Sequence, residues 1–282
     1  MKNENSEYLK GRWYLSHSLD FEGREIHYDI IGDGEPLVIV HGTPWSSFNL
    51  RHLIRGLAGK YKVHYFDLVG YGQSSKEEGD VSLGIQNRIL DRLLDHWGLD
   101  NPLAIGHDFG GATVLRTHLL NGRPFSKLIL IDPVAVSPWG SPFFKHVHKH
   151  ESAFAGVPDY IHDAIVRAYV KTAAFNPIES ETLDGIVAPW TGEKGKAAFY
   201  CQIAQSHSAY TEEVQPLYPT ISTPTLILWG REDTWIPLDK AHELHSLIPG
   251  SNLKVIDGTG HLVIEEKPDA LLREIRPFIQ EY

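Results

Sequence analysis

The sequence predicts an α/β fold: a mostly parallel sheet of eight strands, with helices on both faces and a helical insertion. Short apolar segments bounded by turn residues alternate with longer segments whose apolar residues recur at helical spacing. Because each parallel strand needs a crossover connection, this alternation indicates a parallel sheet that is covered on both faces. The alternation stops between Pro133 and about Gln215, where helix-like segments, prolines and aromatic residues follow one another, and it resumes after Pro224.

Each element is predicted from its local pattern. The first two strands form a predicted pair joined by a turn at 20–23, and the third is wholly apolar, as a strand buried on both faces should be. The helix predicted over 46–60 carries its apolar residues at helical spacing. The predicted strands are 12–19, 22–31, 36–40, 63–66, 101–106, 127–131, 225–229 and 253–256. The predicted helices outside the insertion are 46–60, 81–97, 110–121, 238–247 and 268–280.

The interruption predicts a division of the chain into two parts. Residues 1–133 and 217–282 would form the α/β core, and residues 134–216 a helical cap inserted after the sixth strand. Open α/β sheets bind ligands at the carboxyl ends of their strands, so we expect the cap to lie over that edge.

Composition and charge exclude several classes of protein. The 282 residues carry a formal net charge of −10 and no cluster of lysine and arginine, which argues against nucleic-acid and anionic-membrane partners. The one cysteine, Cys201, rules out an intramolecular disulfide, and residues 1–7 lack the apolar stretch of a signal peptide. No apolar run is long enough to span a bilayer. We therefore expect a cytoplasmic monomer or homodimer that acts on a small molecule.

Asp108 is the most informative residue in the chain. It lies in the middle of Ile-Gly-His-Asp-Phe-Gly-Gly at 105–111, between a predicted strand and a predicted helix. A turn with small residues at this spacing is typical of a nucleophile elbow, which lifts one side chain above a parallel sheet. That residue is usually serine, and its replacement by aspartate changes the reaction to be expected.

Two other segments supply partners for Asp108. Asp233 follows the seventh predicted strand and His261 follows the eighth, so the chain order is nucleophile, acid, histidine. Asp132, after the sixth strand, is the alternative acid. The backbone N–H groups of Thr43 and Phe109 would form an oxyanion hole beside the carboxylate.

These motifs resemble those of the α/β-hydrolase superfamily over essentially the whole chain. The His-Gly-x-Pro loop at 41–44 and the Gly-His-Asp-x-Gly-Gly elbow at 106–111 are similar to the branch with an aspartate nucleophile. That branch holds epoxide hydrolases and haloalkane and fluoroacetate dehalogenases. The turn Asp-x-x-Gly-x-Gly-x-Ser at 67–74 is also similar to one common in the superfamily. The resemblance implies an α/β-hydrolase fold and a hydrolytic enzyme.

An aspartate nucleophile favours attack on a saturated carbon. A carboxylate is already ionised at pH 7 and displaces a leaving group directly, leaving an alkyl ester on Asp108. His261 would then take a proton from the water that hydrolyses the ester, while Asp233 orients the imidazole. This chemistry needs neither a cofactor nor a metal. The alternating histidines at 146, 148 and 150 lack accompanying carboxylates or cysteines at a recognisable spacing and predict no metal site.

Two reactions fit such a nucleophile, and the sequence favours epoxide hydrolysis. The epoxide hydrolases that this chain resembles use tyrosine to protonate the departing alkoxide. The insertion contains four candidate tyrosines: Tyr160, Tyr169, Tyr200 and Tyr210. Of these, Tyr200 and Tyr210 are the candidates for the pocket. The haloalkane dehalogenases that this chain resembles hold the halide with side-chain donors at two positions. Those positions are occupied here by Thr43 and Phe109, so both side-chain donors are missing.

The remaining pocket candidates are His41, Trp45 and Trp139, and the aromatic residues of the insertion favour small, apolar, uncharged substrates. Of these, His41 is expected to be a hydrogen-bonded structural residue, as is its counterpart His107. Dehalogenation is the alternative reaction. A non-catalytic receptor built on the same fold is the alternative of a different class.

Overall fold

The structure, a computed structural model, describes residues 13–280. One sheet holds its eight strands in the order β1-β2-β4-β3-β5-β6-β7-β8. The strands are β1 His17–Phe21, β2 Arg24–Ile31, β3 Glu35–Val40, β4 Tyr61–Phe66, β5 Leu103–His107, β6 Lys127–Ile131, β7 Thr225–Gly230 and β8 Asn252–Ile256. The strands β1 and β2 pair antiparallel at one edge, and β3 to β8 are parallel, which confirms the predicted fold class.

Twelve α-helices surround or cap this sheet in the described range. They are α1 Arg51–Leu57, α2 Leu83–Trp97, α3 Phe109–Leu120, α4 Pro142–Lys149, α5 Glu151–Ala155, α6 Asp159–Lys171, α7 Ser180–Val187, α8 Gly192–Ala204, α9 Ala209–Glu212, α10 Asp239–Leu247, α11 Val263–Glu266 and α12 Pro268–Gln280. Between β6 and β7 every element is helical, as predicted: α4 to α9, with 3₁₀ helices at Ala188–Trp190 and Gln215–Thr220. The boundaries of a separate cap at 134 and 216 stay a prediction.

Two elements differ from their predicted bounds by more than two residues. The first strand begins at His17, because Trp13–Ser16 are not paired into the sheet, and its predicted start at Arg12 lies outside the described residues, as does the segment 1–7. The helix predicted over 46–60 is a 3₁₀ helix at Ser47–Leu50 followed by α1. The Asn49 side chain accepts the Ser46 N–H and donates to Glu265 of α11, and these contacts anchor the tighter first turn.

The central strands make up the core. In β3, Leu37 to Val40 are fully buried, and all six residues of β7 are buried, because helices cover both faces of the parallel sheet. Parallel strands end at the same edge, so the segments that follow β3, β5, β6, β7 and β8 meet there. No helix within residues 13–280 is long and apolar enough to cross a membrane.

Candidate active site

Asp108 occupies a strained turn between β5 and α3. Its backbone has φ +52° and ψ −119°, a conformation that non-glycine residues rarely adopt and that is typical of functional sites. A Cβ atom at Gly110 would lie 2.1 Å from the backbone oxygen of Val40, and one at Gly42 would lie 2.2 Å from Oδ1 of Asp108. The glycines therefore let β3 and the elbow approach closely enough to place the carboxylate at the sheet edge.

The structure brings the three predicted triad residues together. His261 Nε2 lies 3.1 Å from Oδ2 of Asp108, and His261 Nδ1 lies 2.7 Å from Oδ2 of Asp233. The other oxygen of Asp233 accepts the backbone N–H groups of Trp235 and Ile236 at 2.8 and 2.9 Å, which fix the acid. His261 is fully buried, and both carboxylates are nearly so.

His261 faces a carboxylate oxygen with each ring nitrogen. Because carboxylates only accept, the arrangement is satisfied when both nitrogens carry protons and the ring is an imidazolium. Burial opposes this charge, but the charge of Asp233 and the hydrogen bonds with Asp108 and Asp233 outweigh it and hold the pKa of His261 well above its ordinary value. The histidine thus stores a proton at neutral pH.

The backbone N–H groups of Thr43 and Phe109 both point at Asp108. They donate to Oδ1 at 2.6 and 2.5 Å, which leaves Oδ2 on the side of the imidazole. Two converging N–H groups form an oxyanion hole if Oδ1 becomes the carbonyl oxygen of an ester. The Thr43 hydroxyl donates to Gln202 of α8 at 2.8 Å, and the Tyr71 hydroxyl donates to the same amide oxygen at 2.9 Å.

The loop that carries His261 is held by two glutamates. The backbone N–H of Thr259 donates to Glu232, which precedes the acid Asp233, and the N–H of Gly260 donates to Glu266 of α11. These bonds tie the histidine loop to the loop of Asp233 and to α11, so a few hydrogen bonds fix the imidazole relative to its acid.

The histidines beside the site are structural. His41 contacts the carbonyl oxygen of Gly42 through Nδ1 and accepts the Leu68 N–H at Nε2, which defines a neutral ring. His107 donates from Nε2 to the carbonyl oxygen of His261 at 3.0 Å, and burial together with the charge of His261 lowers its pKa to about 3. Neither ring is placed to exchange protons with a ligand.

Asp132, the alternative acid, does not bond to the imidazole. One oxygen accepts the backbone N–H of Gly230 at 2.8 Å, so the direct partner of His261 is Asp233. Asp132 nevertheless lies close, with one oxygen within 4.8 Å of a ring nitrogen of His261 and of an oxygen of Asp233.

A small cavity opens above Asp108. Its walls are mostly apolar and come from the elbow, the start of the insertion and the loop after β7, with Tyr169 of α6 and Ser141 supplying hydroxyl groups. The lining residues are Thr43, Asp108, Phe109, Val134, Trp139, Gly140, Ser141, Phe144, Tyr169, Trp235 and Ile236. The cavity is narrow and suits a small reacting group.

Of the five predicted pocket residues, only Trp139 lines this cavity. Tyr200 is buried among the helices between β6 and β7, where its hydroxyl contacts His162 at 3.0 Å, and Tyr210 packs against the guanidinium of Arg116. The tyrosine prediction is therefore corrected: helical spacing alone could not show which face of α8 meets the core. His41 and Trp45 are not among the residues that line the cavity. The Trp45 ring stacks on Trp235, which does line it, with 5.6 Å between the ring centres.

Tyr169 and Trp235 are the site residues that the sequence did not single out. Their rings stack at 4.4 Å, and Trp235 also stacks on His261 at 5.3 Å. The Ser141 side chain lies close to the Tyr169 hydroxyl, and both residues line the cavity. The position of Trp235, two residues after Asp233, was the only available signal for it, whereas Tyr169 had no local signal to separate it from the other cap tyrosines.

A wider groove of about 900 Å³ adjoins the cavity. The two share Ser141, Tyr169 and Trp235, so the cavity and the groove meet at the stacked aromatic pair. The remaining groove residues are mainly apolar and come from α4, α6 and the loop after β7: Pro142, Phe143, Ile165, Ala168, Thr172 and Thr234.

The chain belongs to the alpha/beta hydrolase family, whose model matches residues 37–274. This membership and the parallel sheet define the class of the protein as a hydrolase-fold enzyme. Among solved structures, an alpha/beta hydrolase fold protein from Burkholderia ambifaria is 44% identical, covers 93% of this chain and 97% of its own, and superposes with a TM-score of 0.91.

Two further comparisons involve proteins with named activities. Mouse epoxide hydrolase 4 is 25% identical over 92% of this chain and 77% of its own length. The haloalkane dehalogenase DatA from Agrobacterium tumefaciens is 23% identical, covers 93% of this chain and 94% of its own, and has a TM-score of 0.79, a likeness in fold alone.

Proposed function

We propose that this protein is an epoxide hydrolase that works through a covalent ester on Asp108. The observation that carries the proposal is that the two oxygens of Asp108 have different contacts. Oδ1 sits between two backbone N–H groups, and Oδ2 sits beside His261 at the cavity. Attack by Oδ2 on a saturated carbon would leave Oδ1 as the ester carbonyl oxygen, already in the hole that stabilises its negative charge during hydrolysis.

The proton stored on His261 balances this reaction. Ring opening converts the epoxide oxygen to an alkoxide, which takes a proton from a neighbouring acid, and that acid is restored from the imidazolium. Esterification removes the charge of Asp108, so the imidazole is left neutral and able to act as a base. It then accepts a proton from water, whose oxygen attacks the ester, and release of the diol restores the carboxylate and the imidazolium.

Tyr169 is the acid that the geometry favours. It is the tyrosine among the lining residues of the cavity, and the Ser141 hydroxyl and the charge of Asp108 are both close enough to act on its pKa. Burial raises the pKa of Tyr169, so the phenol keeps its proton until an alkoxide develops beside it.

The cavity offers little to a departing halide. Halide release needs N–H donors, but the indole N–H of Trp139 donates to Thr211 and that of Trp235 donates to Thr172. The Trp45 indole N–H is buried without a partner in the described part of the chain, and Trp45 does not line the cavity. Halide chemistry is therefore the second candidate, supported by the fold that the chain shares with the dehalogenase.

The proposal is tested with a panel of styrene oxide, short alkyl oxides and short haloalkanes at matched concentrations. We expect diol formation from the epoxides and little or no halide release. Release of halide without formation of diol would contradict epoxide hydrolysis and support dehalogenation as the function. Binding of panel members without turnover of any of them would favour the receptor alternative.

Replacing Tyr169 with phenylalanine is expected to slow epoxide opening by ~10²-fold or more, because the alkoxide loses its proton donor. Burst kinetics of ester formation would measure this step directly. Tyr160→Phe is the matched control, since Tyr160 is on the same helix and 75% exposed. Equal rates of ester formation for Tyr169→Phe and wild type would show that Tyr169 is not the proton donor. Such a result would not contradict the role of Asp108 as the nucleophile.

Filling the groove is expected to obstruct substrates that carry an apolar tail. Each buried CH₂ contributes about 0.8 kcal/mol, or about fourfold in kcat/KM, so longer 1,2-epoxyalkanes should be preferred while the groove is open. In Ala168→Trp we expect that preference to vanish, with the shortest epoxide turned over as before. Ala153→Trp, at an exposed alanine of α5, is the control. A chain-length preference that survives Ala168→Trp would show that tails do not enter the groove.

A further inference from the structure

Asp132 is a buried carboxyl group for which the mechanism above has no use. It follows β6, is fully buried and has φ +39°, one of three positive φ values at non-glycine residues in the described range. One oxygen accepts the Gly230 N–H, and Oδ2 has no hydrogen-bond partner among the described residues. A buried oxygen without a partner is costly, so its retention beside a triad calls for an explanation.

The surroundings of Asp132 determine its charge. Burial, and next the charge of Asp233, raise the pKa of Asp132 well above the ordinary range, and Asp108 acts in the same direction. The His261 charge and the Gly230 hydrogen bond act in the opposite direction but do not offset these effects. An oxygen of Asp132 lies within 4.8 Å of an oxygen of Asp233 in a buried site, so the charge of Asp233 disfavours ionisation of Asp132.

We propose that Asp132 is a second acid for His261, a positioning residue that keeps one proton in the resting enzyme and becomes the counter-ion of the imidazolium when Asp233 is neutralised. One oxygen of Asp132 already lies within 4.8 Å of a ring nitrogen of His261, and both belong to one buried cluster. Only a short movement of the carboxyl group is therefore needed for a direct contact. The proton that Asp132 then releases passes to solvent, so no other group changes its charge. The kinetic part of this inference rests on the proposed hydrolysis of an Asp108 ester.

The competing interpretation makes Asp132 a turn residue that only holds Gly230. Asp132→Asn separates the two interpretations, because asparagine keeps an oxygen to accept the Gly230 N–H and loses only the ability to ionise. Asp233→Asn likewise keeps an acceptor for the N–H groups of Trp235 and Ile236. Thermal unfolding of each variant would show that the comparison is made between folded proteins.

A double-mutant cycle measures the effect on ester hydrolysis. We expect Asp132→Asn to slow hydrolysis at least ten times more in the Asp233→Asn protein than in the wild type, since only there does Asp132 serve as the counter-ion. In Asp233→Asn, hydrolysis should rise with pH through the ionisation of Asp132, and this acidic limb should disappear in the double variant. Equal losses in both backgrounds, with the limb unchanged, would overturn the proposal.

Nitrogen-15 NMR of the His261 ring provides a readout that needs no substrate. In Asp233→Asn we expect the pKa of the imidazole to stay higher than in the Asp132→Asn/Asp233→Asn protein, because one carboxylate remains beside the ring. The same imidazole pKa in both proteins would also overturn the proposal. If no epoxide were turned over at all, this comparison would still stand, so failure of the proposed function and failure of the second acid can be told apart.

Discussion

Replacing His261 with glutamine is expected to trap the ester on Asp108. The carboxylate can still attack, but no base then activates water, so turnover should fall on the order of 10²–10⁴-fold. Intact-protein mass spectrometry after mixing with an epoxide should show an increase equal to one substrate molecule, and peptide mapping should place it on Asp108. The 3.1 Å contact between His261 and Asp108 is the physical basis for expecting the base to act at this ester.

His146→Gln serves as the control for this experiment, because His146 is exposed on α4. We expect this variant to hydrolyse the ester as the wild type does. Loss of turnover without any adduct would contradict the two-step mechanism. It would indicate instead that His261 activates water for direct attack on the substrate.

Replacing Asp108 with asparagine is expected to remove ester formation altogether. An amide is a poor nucleophile, so we expect a loss of ~10⁴-fold or more, as is common when a triad loses its nucleophile. Asp100→Asn, at an exposed turn, should behave as wild type. Substantial turnover by freshly prepared Asp108→Asn would exclude a covalent ester on this residue.

A single turnover of wild-type enzyme in water labelled with oxygen-18 gives an independent check. Since Asp108 supplies the oxygen added to the first substrate molecule, the first diol should be unlabelled, and the label should appear in the Asp108 carboxylate. Later turnovers should then yield labelled diol. Label in the first diol would mean that water attacks the substrate directly.

Several features of this protein followed from local sequence. The order of strands and helices was readable because buried parallel strands are short apolar runs, and surface helices place their apolar residues on one face. The elbow at Asp108 was readable because glycines are needed where β3 and α3 approach the turn. The meeting of Asp108, Asp233 and His261 followed because each lies in the segment that follows a strand of one parallel sheet.

The helical segment between β6 and β7 was far less predictable than the sheet. Tyr200 and Tyr169 both lie on helices of the insertion, but Tyr200 packs inside it and Tyr169 lines the cavity above Asp108. The difference depends on how α6 and α8 pack against each other and against the loop after β7. That packing brings together residues distant in sequence, as in the stack of Tyr169 on Trp235.

By itself, then, the sequence determined the fold class, the elbow and the order of three candidate catalytic residues, because these depend on residues next to one another or on strands ending at a common edge. Only the tertiary structure decided that each ring nitrogen of His261 faces a carboxylate, that Asp132 lies in the same buried cluster, and which tyrosine lines the cavity. Each of these depends on burial and on contacts of a few ångströms between segments far apart in the chain, and electrostatic effects at such distances are strong only where water is excluded.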